Sequence, residues 1–280
     1  MKLEAVNISD CNPFEDYPFR VVDDSEMEML TESIKTYGVM CPIMVRPIDE
    51  YETKYEVISG HRRIYASIKA GLETIPAFIR QMNRDQAVIC MVDSNLHRDR
   101  LLPSERAYAY KMKVEALSHQ GKTSVQNEQK ITSREMVAAS AGMSESQVQR
   151  FIRLTYLHKP LLDLVDDGRI ALTPAVALSY LNPWEQRTIL QIYESDEITP
   201  SYSQAVRLKK LSETGELTDE KIYEILSEPK PNQREVLRLP MNRFDQYLKP
   251  FTTPKDKEDF IMKALDHYTC YLRQQRSWDR

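Results

Sequence analysis

Residues 55–63, YEVISGHRR, set a glycine, a histidine and two arginines directly after an apolar run. Where a strand hands over to a helix, unpaired backbone N–H groups and the positive end of the helix dipole favour an anion. Arg62 or Arg63 can add charge-assisted bonds to a phosphate, and His61 offers a further donor. A second polar cluster, DSNLHRDR at Asp93–Arg100, offers Asn95 as an ion or phosphate contact and Arg98 to a polyphosphate. Asp93 beside an amide is one carboxylate, which is not a metal signature. Taken singly, each cluster also fits a solvated helix start or a charged loop. No Gly-rich loop ends in Lys-Ser or Lys-Thr, which disfavours ATP hydrolysis by the Walker arrangement. Ser59 near His61 makes no triad, because no acid is placed to orient the imidazole.

A different chemistry is written at Thr132–Arg153, TSREMVAASAGMSESQVQRFIR, which reads as two short helices joined at Gly142. Val137, Ala138 and Ala141 give the first helix an inward face. Val148 and Phe151 do so for the second, and Met143 fills the corner. Glycine accepts the left-handed or crowded backbone of such a turn cheaply. Ser144 with Gln147 forms a capping box that starts the second helix. In a helix-turn-helix of this kind the second helix can enter a major groove. Ser144, Ser146, Gln147, Gln149, Arg150 and Arg153 are the residues expected at DNA, Gln and Arg being able to read adenine and guanine edges. An ordinary helical hairpin in a helical core fits the same stretch.

The 280 residues carry a formal charge of −4, so the chain is no general basic coat for nucleic acid. The distribution says more. Residues 1–97 hold 10 Lys and Arg against 16 Asp and Glu, whereas residues 98–159 hold 11 against 6. The positive stretch surrounds the candidate DNA reader, as a local phosphate-facing patch would. Cys11, Cys41, Cys90 and Cys270 are scattered without metal-ligand spacing, which favours reduced, structural cysteines. No apolar run approaches membrane-spanning length and no signal-peptide core opens the chain, so a cytoplasmic protein without a membrane partner is expected.

These residues need elements to place them. The opening CNPFEDYPF is expected to pack as a loop through its aromatic residues. Ser25 is expected to cap a helix to Tyr37, with Met29, Leu30, Ile34 and Tyr37 inward and Gly38 ending it. Strands follow at 42–46, Tyr55–Ile58 and Ile75–Ile79, around a helix Arg62–Ala70. Helices come next at Asp85–Val92 and Glu105–Ser118, the latter with Ala107, Tyr110, Val114 and Leu117 inward. Gln120–Lys130 reads as an exposed connector. After the helix-turn-helix come helices at Pro160–Val165, Ala175–Leu181, Trp184–Tyr193, Ser201–Leu211 and the KIYEILSE stretch. EPKPNQRE reads as a linker, Val236–Leu239 as a short extended stretch, and Lys255–Arg273 as a helix with Phe260, Ala264, Tyr268 and Leu272 on one face.

In this order the motifs resemble those of the ParB/Spo0J-like chromosome and plasmid partition proteins. The matching pieces are NPF at Asn12–Phe14, ESIKTYGVMCPIMVRP at Glu32–Pro47, YEVISGHRRIYASIKAGLETIPAFI at Tyr55–Ile79, DSNLHRDRLLPSERAYAY at Asp93–Tyr110 and the helix-turn-helix. They span roughly residues 7–181. The resemblance implies an α+β fold: a small mixed nucleotide-binding domain at 1–97, an all-helical DNA-binding domain at 98–228 with its helix-turn-helix at 132–153, and a small dimerising segment at 229–280. It implies CTP with Mg2+ as ligands, double-stranded DNA with a palindromic site, a homodimer that closes as a clamp, a ParA-type ATPase partner and a nucleoid-associated location. Gly38, Pro42 and Ile43 match the first nucleotide-contact motif. Gly60, Arg62 and Arg63, with His61 among them, match the phosphate motif. Asn95 and Arg98 match the third, which holds phosphate and magnesium.

This sequence departs from the family at Cys41, where Gln is common, and at His61 and Ser94, where Glu is common. The substitutions at Cys41 and Ser94 imply binding with at most weak CTP hydrolysis. The opening MKLEAVNISD also lacks the basic tail of ParA-stimulating members. The function expected is that of a CTP-binding, sequence-specific DNA-binding partition protein, acting as a dimeric clamp in plasmid or mobile-element segregation. One alternative is a ParB-like transcription or nucleoid-organisation factor without a ParA partner. Another is a nucleotide-dependent enzyme, against which the helix-turn-helix argues.

Overall fold

The computed structural model describes residues 2–49, 51, 53–96, 98, 101–121, 132–228, 245–248 and 253–278. The chain divides into two compact units, Met1–Glu228 and Pro229–Arg280. The first unit begins with a five-stranded mixed sheet made of β1 (Lys2–Asn7), β2 (Cys11–Asn12), β3 (Ile43–Pro47), β4 (Tyr55–Ser59) and β5 (Thr74–Ile79). Its spatial order is β1-β5-β3-β4-β2. β1 runs antiparallel to β5, with Lys2 opposite Ile79 and Asn7 opposite Thr74. β3 is parallel to β5 and antiparallel to β4, and β4 is parallel to β2. The sheet and its helices confirm the mixed α+β class.

β4 explains why the sheet has two covered faces. Alternate strand residues point to opposite sides, and four of its five residues are buried. Val57 joins Val6, Ile43, Val45, Ile75 and Ile79 in one cluster. Ile58 joins Phe14, Phe19 and Met91 in another. The aromatic loop is therefore anchored as its composition suggests. Glu56 fixes it further: this buried carboxylate accepts from Arg46 Nε at 2.6 Å, Arg84 Nη1 at 2.7 Å and the Glu15 backbone N–H at 3.3 Å.

Helix α1 (Ser25–Tyr37) ends at Gly38 as its sequence predicts, but Asp24, not Ser25, is its cap, accepting from the Met27 N–H at 2.9 Å. Its buried side is Met27, Thr31 and Ile34, which pack with Ala66 of α2 (His61–Lys69). Met29 and Tyr37 face outward because Met27 sets the helical phase. β1 carries no sequence signal for a related reason. It is an edge strand with Val6 as its buried residue and an exposed Leu3, so it shows no alternating pattern.

The helical part continues with α3 (Arg84–Asn95), α4 (Pro103–Gly121), α5 (Ser133–Ala141), α6 (Glu145–Arg153), α7 (Lys159–Asp166), α8 (Leu172–Leu178), α9 (Pro183–Asp196), α10 (Tyr202–Glu213) and α11 (Asp219–Ser227). α5 and α6 are the expected pair. Gly142 sits at φ +64° between them, and Val137, Ala138, Val148 and Tyr110 form their shared core. Both helices begin with a capping box, Thr132 with Glu135 and Ser144 with Gln147. In α4, Ala107 and Tyr110 are buried and Val114 and Leu117 half-buried. Lys113 is also buried, which no periodicity foretells.

The second unit contains α12 (Asp245–Leu248) and α13 (Pro254–Trp278). The face expected from Phe260, Ala264, Tyr268 and Leu272 is largely exposed. The connector from residue 122 onward, EPKPNQRE from residue 229 and Val236–Leu239 lie outside the described residues.

Candidate functional site

A cavity of about 430 Å3 opens beside the junction of β4 and α2. α1 supplies Leu30, Ser33 and Ile34, and the following loop supplies Gly38, Val39, Met40 and Cys41. Ser59, Gly60, Arg62 and Arg63 form the opposite wall, with Ser94 of α3 and Arg98 beyond.

Gly60 is where the backbone must come close. It stands at φ +106°, and a Cβ there would meet Ile43 Cγ2 at 2.6 Å, so a side chain is excluded twice over. As the N-cap of α2 it carries no capping side chain. The first N–H groups of α2 are thus unclaimed by a cap, the arrangement that attracts phosphate oxygens.

The three arginines are held in different ways. Arg62 lies 3.2 Å from Glu26 and 3.8 Å from Asp24 at the start of α1. Arg63 donates to the backbone oxygens of Cys41 at 2.6 Å and Pro42 at 2.5 Å, and burial lowers its pKa. Arg98 is exposed, with its guanidinium 5.8 Å from the centre of the Phe19 ring. The cavity is therefore cationic, and the described lining includes no carboxylate.

Of the expected nucleotide residues, the fold brings Gly38, Gly60, Arg62, Arg63 and Arg98 to this lining. Pro42, Ile43, His61 and Asn95 stand behind it. Pro42 lends its carbonyl to Arg63, and Ile43 is buried against Gly60. The His61 ring stacks on Tyr17, with centroids 3.6 Å apart, and neither ring nitrogen has a hydrogen-bond partner. Burial, then the nearby Arg98 charge, pushes its pKa down to about 4, while Glu56 pulls weakly the other way. The ring is thus a neutral packing group in this state. Asn95 donates to the Met91 carbonyl at 2.8 Å and accepts from the Tyr17 hydroxyl at 3.4 Å. Ser33 and Met40 also line the cavity, and nothing in their local sequence singles them out, whereas Ser94, the position of departure from the family's Glu, lies there as well.

The second expected site is α6. Ser146, Gln147 and Gln149 are exposed. Gln147 accepts from the Ser144 N–H at 3.0 Å, while the Ser144 hydroxyl oxygen accepts from the Gln147 N–H at 3.2 Å. Arg150 donates to Thr173 Oγ1 at 2.7 Å. Arg153 donates to Ser179 Oγ and O at 3.1 and 2.7 Å, its guanidinium lying 4.6 and 3.9 Å from the Tyr156 and Tyr180 ring centres. Serine and glutamine thus shape the start of α6, and both arginines are steadied by α8 or the turn after it.

Residues 1–96 match the ParB N-terminal domain family model. A nucleoid occlusion protein of Halalkalibacterium halodurans is 28% identical over 268 residues, covering 89% of this chain and 83% of that protein. A probable chromosome-partitioning protein ParB of Pseudomonas putida is 34% identical over 161 residues, 58% of this chain and 50% of that one. Among solved structures, the C-terminally truncated ParB of Caulobacter crescentus is similar in two forms. The form complexed to the centromeric parS site is 22% identical, covers 74% of this chain and 98% of that one, and superposes with a TM-score of 0.43. The form complexed with CTP-gamma-S is 25% identical, covers 69% and 99%, and gives 0.33.

Proposed function

Because this chain belongs to the ParB/Spo0J-like family of partition proteins, we propose that it binds DNA sequence-specifically through α6 and binds CTP in the arginine-lined cavity. The observation that carries the nucleotide half is the meeting of Arg62, Arg63 and Arg98 with the uncapped start of α2 in one cavity of about 430 Å3. A polyphosphate fits such a donor set, and the empty Cβ position at Gly60 lets its oxygens approach the backbone. Arg62 exchanges Glu26 for phosphate, Arg63 keeps the Cys41–Pro42 loop closed over the site, and Arg98 adds charge from the far wall. Bound CTP supplies the negative charge that draws these groups together. Mg2+ prefers oxygen ligands and retains waters. With no carboxylate in the described lining, Mg2+ would be held by the phosphates, and Asn95, buried behind the lining, would have to leave Met91 and Tyr17 to reach it. Cys41 and Ser94 offer no strong base for hydrolysis, so the reading is one of binding.

For DNA, the readers are Ser146, Gln147, Gln149 and Arg150 at base edges, with Ser144 and Arg153 at the ends of α6. The division we adopt is 1–97 for the nucleotide, 98–228 for DNA and 229–280 for dimerisation. Ile261, Leu265, Tyr268 and Leu272 of α13 follow a four-three-four spacing, and the last three are exposed. That is the seam of a helix pair, which supports a homodimer and, with CTP, a clamp on a palindromic site.

Calorimetry with CTP, ATP and GTP in the presence of Mg2+, repeated on Arg62→Ala, tests the nucleotide half. CTP-selective binding that disappears in the variant supports the reading. No binding by the parent chain leaves a DNA-binding protein on a nucleotide fold without its ligand.

A second reading, nucleoid organisation rather than plasmid or mobile-element segregation, is favoured by one observation: the relative matched over 268 residues is a nucleoid occlusion protein. Deleting the gene separates the two. Loss of a replicon at division marks segregation with a ParA-type partner, whereas septa placed across nucleoids mark occlusion.

A further inference from the structure

We infer that a cavity of about 220 Å3 between α4, α5 and α6 is the seat of a backbone phosphate of bound duplex. This deepens the DNA-binding reading and rests on it. Lys111 and Glu115 of α4, Arg134 of α5 and Gln149 and Arg153 of α6 line the cavity, with Tyr156 at its edge. Among the described lining residues, three cations from three helices thus face one carboxylate.

Among the described residues, neither Lys111 nor Arg134 makes an ion pair. Lys111 and Arg153 are held by neighbouring rings. The Lys111 ammonium stands 5.6 Å from the centre of the Tyr156 ring. Arg153 is clamped between Tyr156 and Tyr180 and tied to Ser179. Unpaired cations gathered on a concave wall focus positive potential. A phosphate oxygen is the acceptor that the arginine fork and the ammonium share.

The position on α6 selects the duplex as the source of that phosphate. By the turn of about 100° per residue of a helix, Gln149 lies about 100° from Arg150 and about 160° from Gln147, with Arg153 and Ser146 close together between them on the outer surface of α6. A helix seated in the major groove has a sugar–phosphate strand along its flank. On this inference Gln149 moves from the base edge proposed for it to the strand flank, where with Arg153 it sets the register of the protein on the duplex. Base reading falls to Ser146, Gln147 and Arg150. Phosphate contacts position while base contacts specify.

The test is the salt dependence of binding to a mixed-sequence 24-base-pair duplex, by fluorescence anisotropy on the full chain. Lys111→Gln and Arg134→Gln are compared with the parent and with Lys221→Gln, a surface charge on α11. Removing a side chain that neutralises one phosphate reduces the slope of log K against log salt by about 0.9. Because Lys111 and Arg134 share one phosphate with Arg153, the inference expects part of that reduction in each cavity variant, more of it in the double variant, restoration by Arg134→Lys, and the parental slope in Lys221→Gln. Parental slopes in both cavity variants, with circular dichroism confirming their fold, overturn it. So does calorimetric binding of inorganic phosphate to the cavity with the duplex slopes unchanged, which marks a free-anion site. If the parent chain binds no duplex at any salt, the DNA-binding reading falls as well.

Discussion

Lys113 of α4 is buried and places its ammonium 2.5 Å from Asp93 Oδ1 of α3, one residue before Ser94 in the cavity wall. The same ammonium donates to Ser140 Oγ of α5 at 2.7 Å. One side chain thus joins the wall of the arginine cavity to α5, the first helix of the helix-turn-helix.

The two ends of that link are unequal. Lys113→Met removes the buried charge together with its bonds and is expected to cost about 1–2 kcal/mol. Asp93→Ala leaves the ammonium buried against one hydroxyl. A fully buried orphaned charge costs about 3–5 kcal/mol, less here because Asp93 is half exposed. Urea denaturation is expected to rank Asp93→Ala as the less stable variant. The reverse order would show that Lys113 is solvated in solution.

Gly60→Ala is expected to be worse than Gly71→Ala, although both positions have positive φ. Gly71 has nothing within 4 Å of its missing Cβ, so alanine there meets only the backbone cost of about 1–2 kcal/mol. At Gly60 the methyl also drives into Ile43, adding about 1–3 kcal/mol of overpacking. Thermal melts of the two variants give the comparison, and equal destabilisation would mean that Ile43 moves aside freely.

Stability is expected to fall with pH through His61. Its folded-state pKa of about 4 lies below the ordinary 6.5 because burial disfavours the charged ring. Between those values the unfolded chain binds the extra proton, so the stabilisation is fully present above about pH 6.5 and lost as pH drops toward 4. The ceiling is about 3 kcal/mol. His61→Phe keeps an aromatic ring against Tyr17 and is expected to flatten the urea midpoint between pH 4.5 and 6.5. An unchanged slope would assign the dependence to other groups.

Local features are legible in the sequence, and convergent ones are not. The helix-turn-helix is encoded within 22 residues by a glycine, a capping box and a few small apolar positions, and α5 and α6 follow that pattern. The GHRR stretch signals a helix start for the same reason. The cap of α1 is ambiguous in sequence because Asp24 and Ser25 are both capping residues, and the burial of Met27 against α2 decides between them. The pairing of Arg62 with Glu26, the Lys113 link and the Lys111–Arg134–Arg153 cavity join residues from separate elements. No spacing within a helix announces such meetings. His61 shows the limit from the other side: its residue type suggests a phosphate donor, and its stacking on Tyr17 makes it a packing group.

Replacing Leu265 and Leu272 with aspartate is expected to convert the proposed dimer into a monomer by sedimentation velocity. Charges placed along the α13 seam would face each other across the pair. A dimer that survives both changes would move the contact elsewhere in the chain.

The reciprocal caps at Thr132–Glu135 and Ser144–Gln147 have a calorimetric consequence. Each closes its helix start with its own side chains, so α5 and α6 are ordered before any duplex arrives. Coupled folding on binding leaves a large negative heat-capacity change, and a reader already in shape leaves a small one. Titrations of duplex into this protein across about 10–35 °C should therefore give a nearly temperature-independent enthalpy, so that discrimination between sites reflects contacts rather than the ordering of the chain.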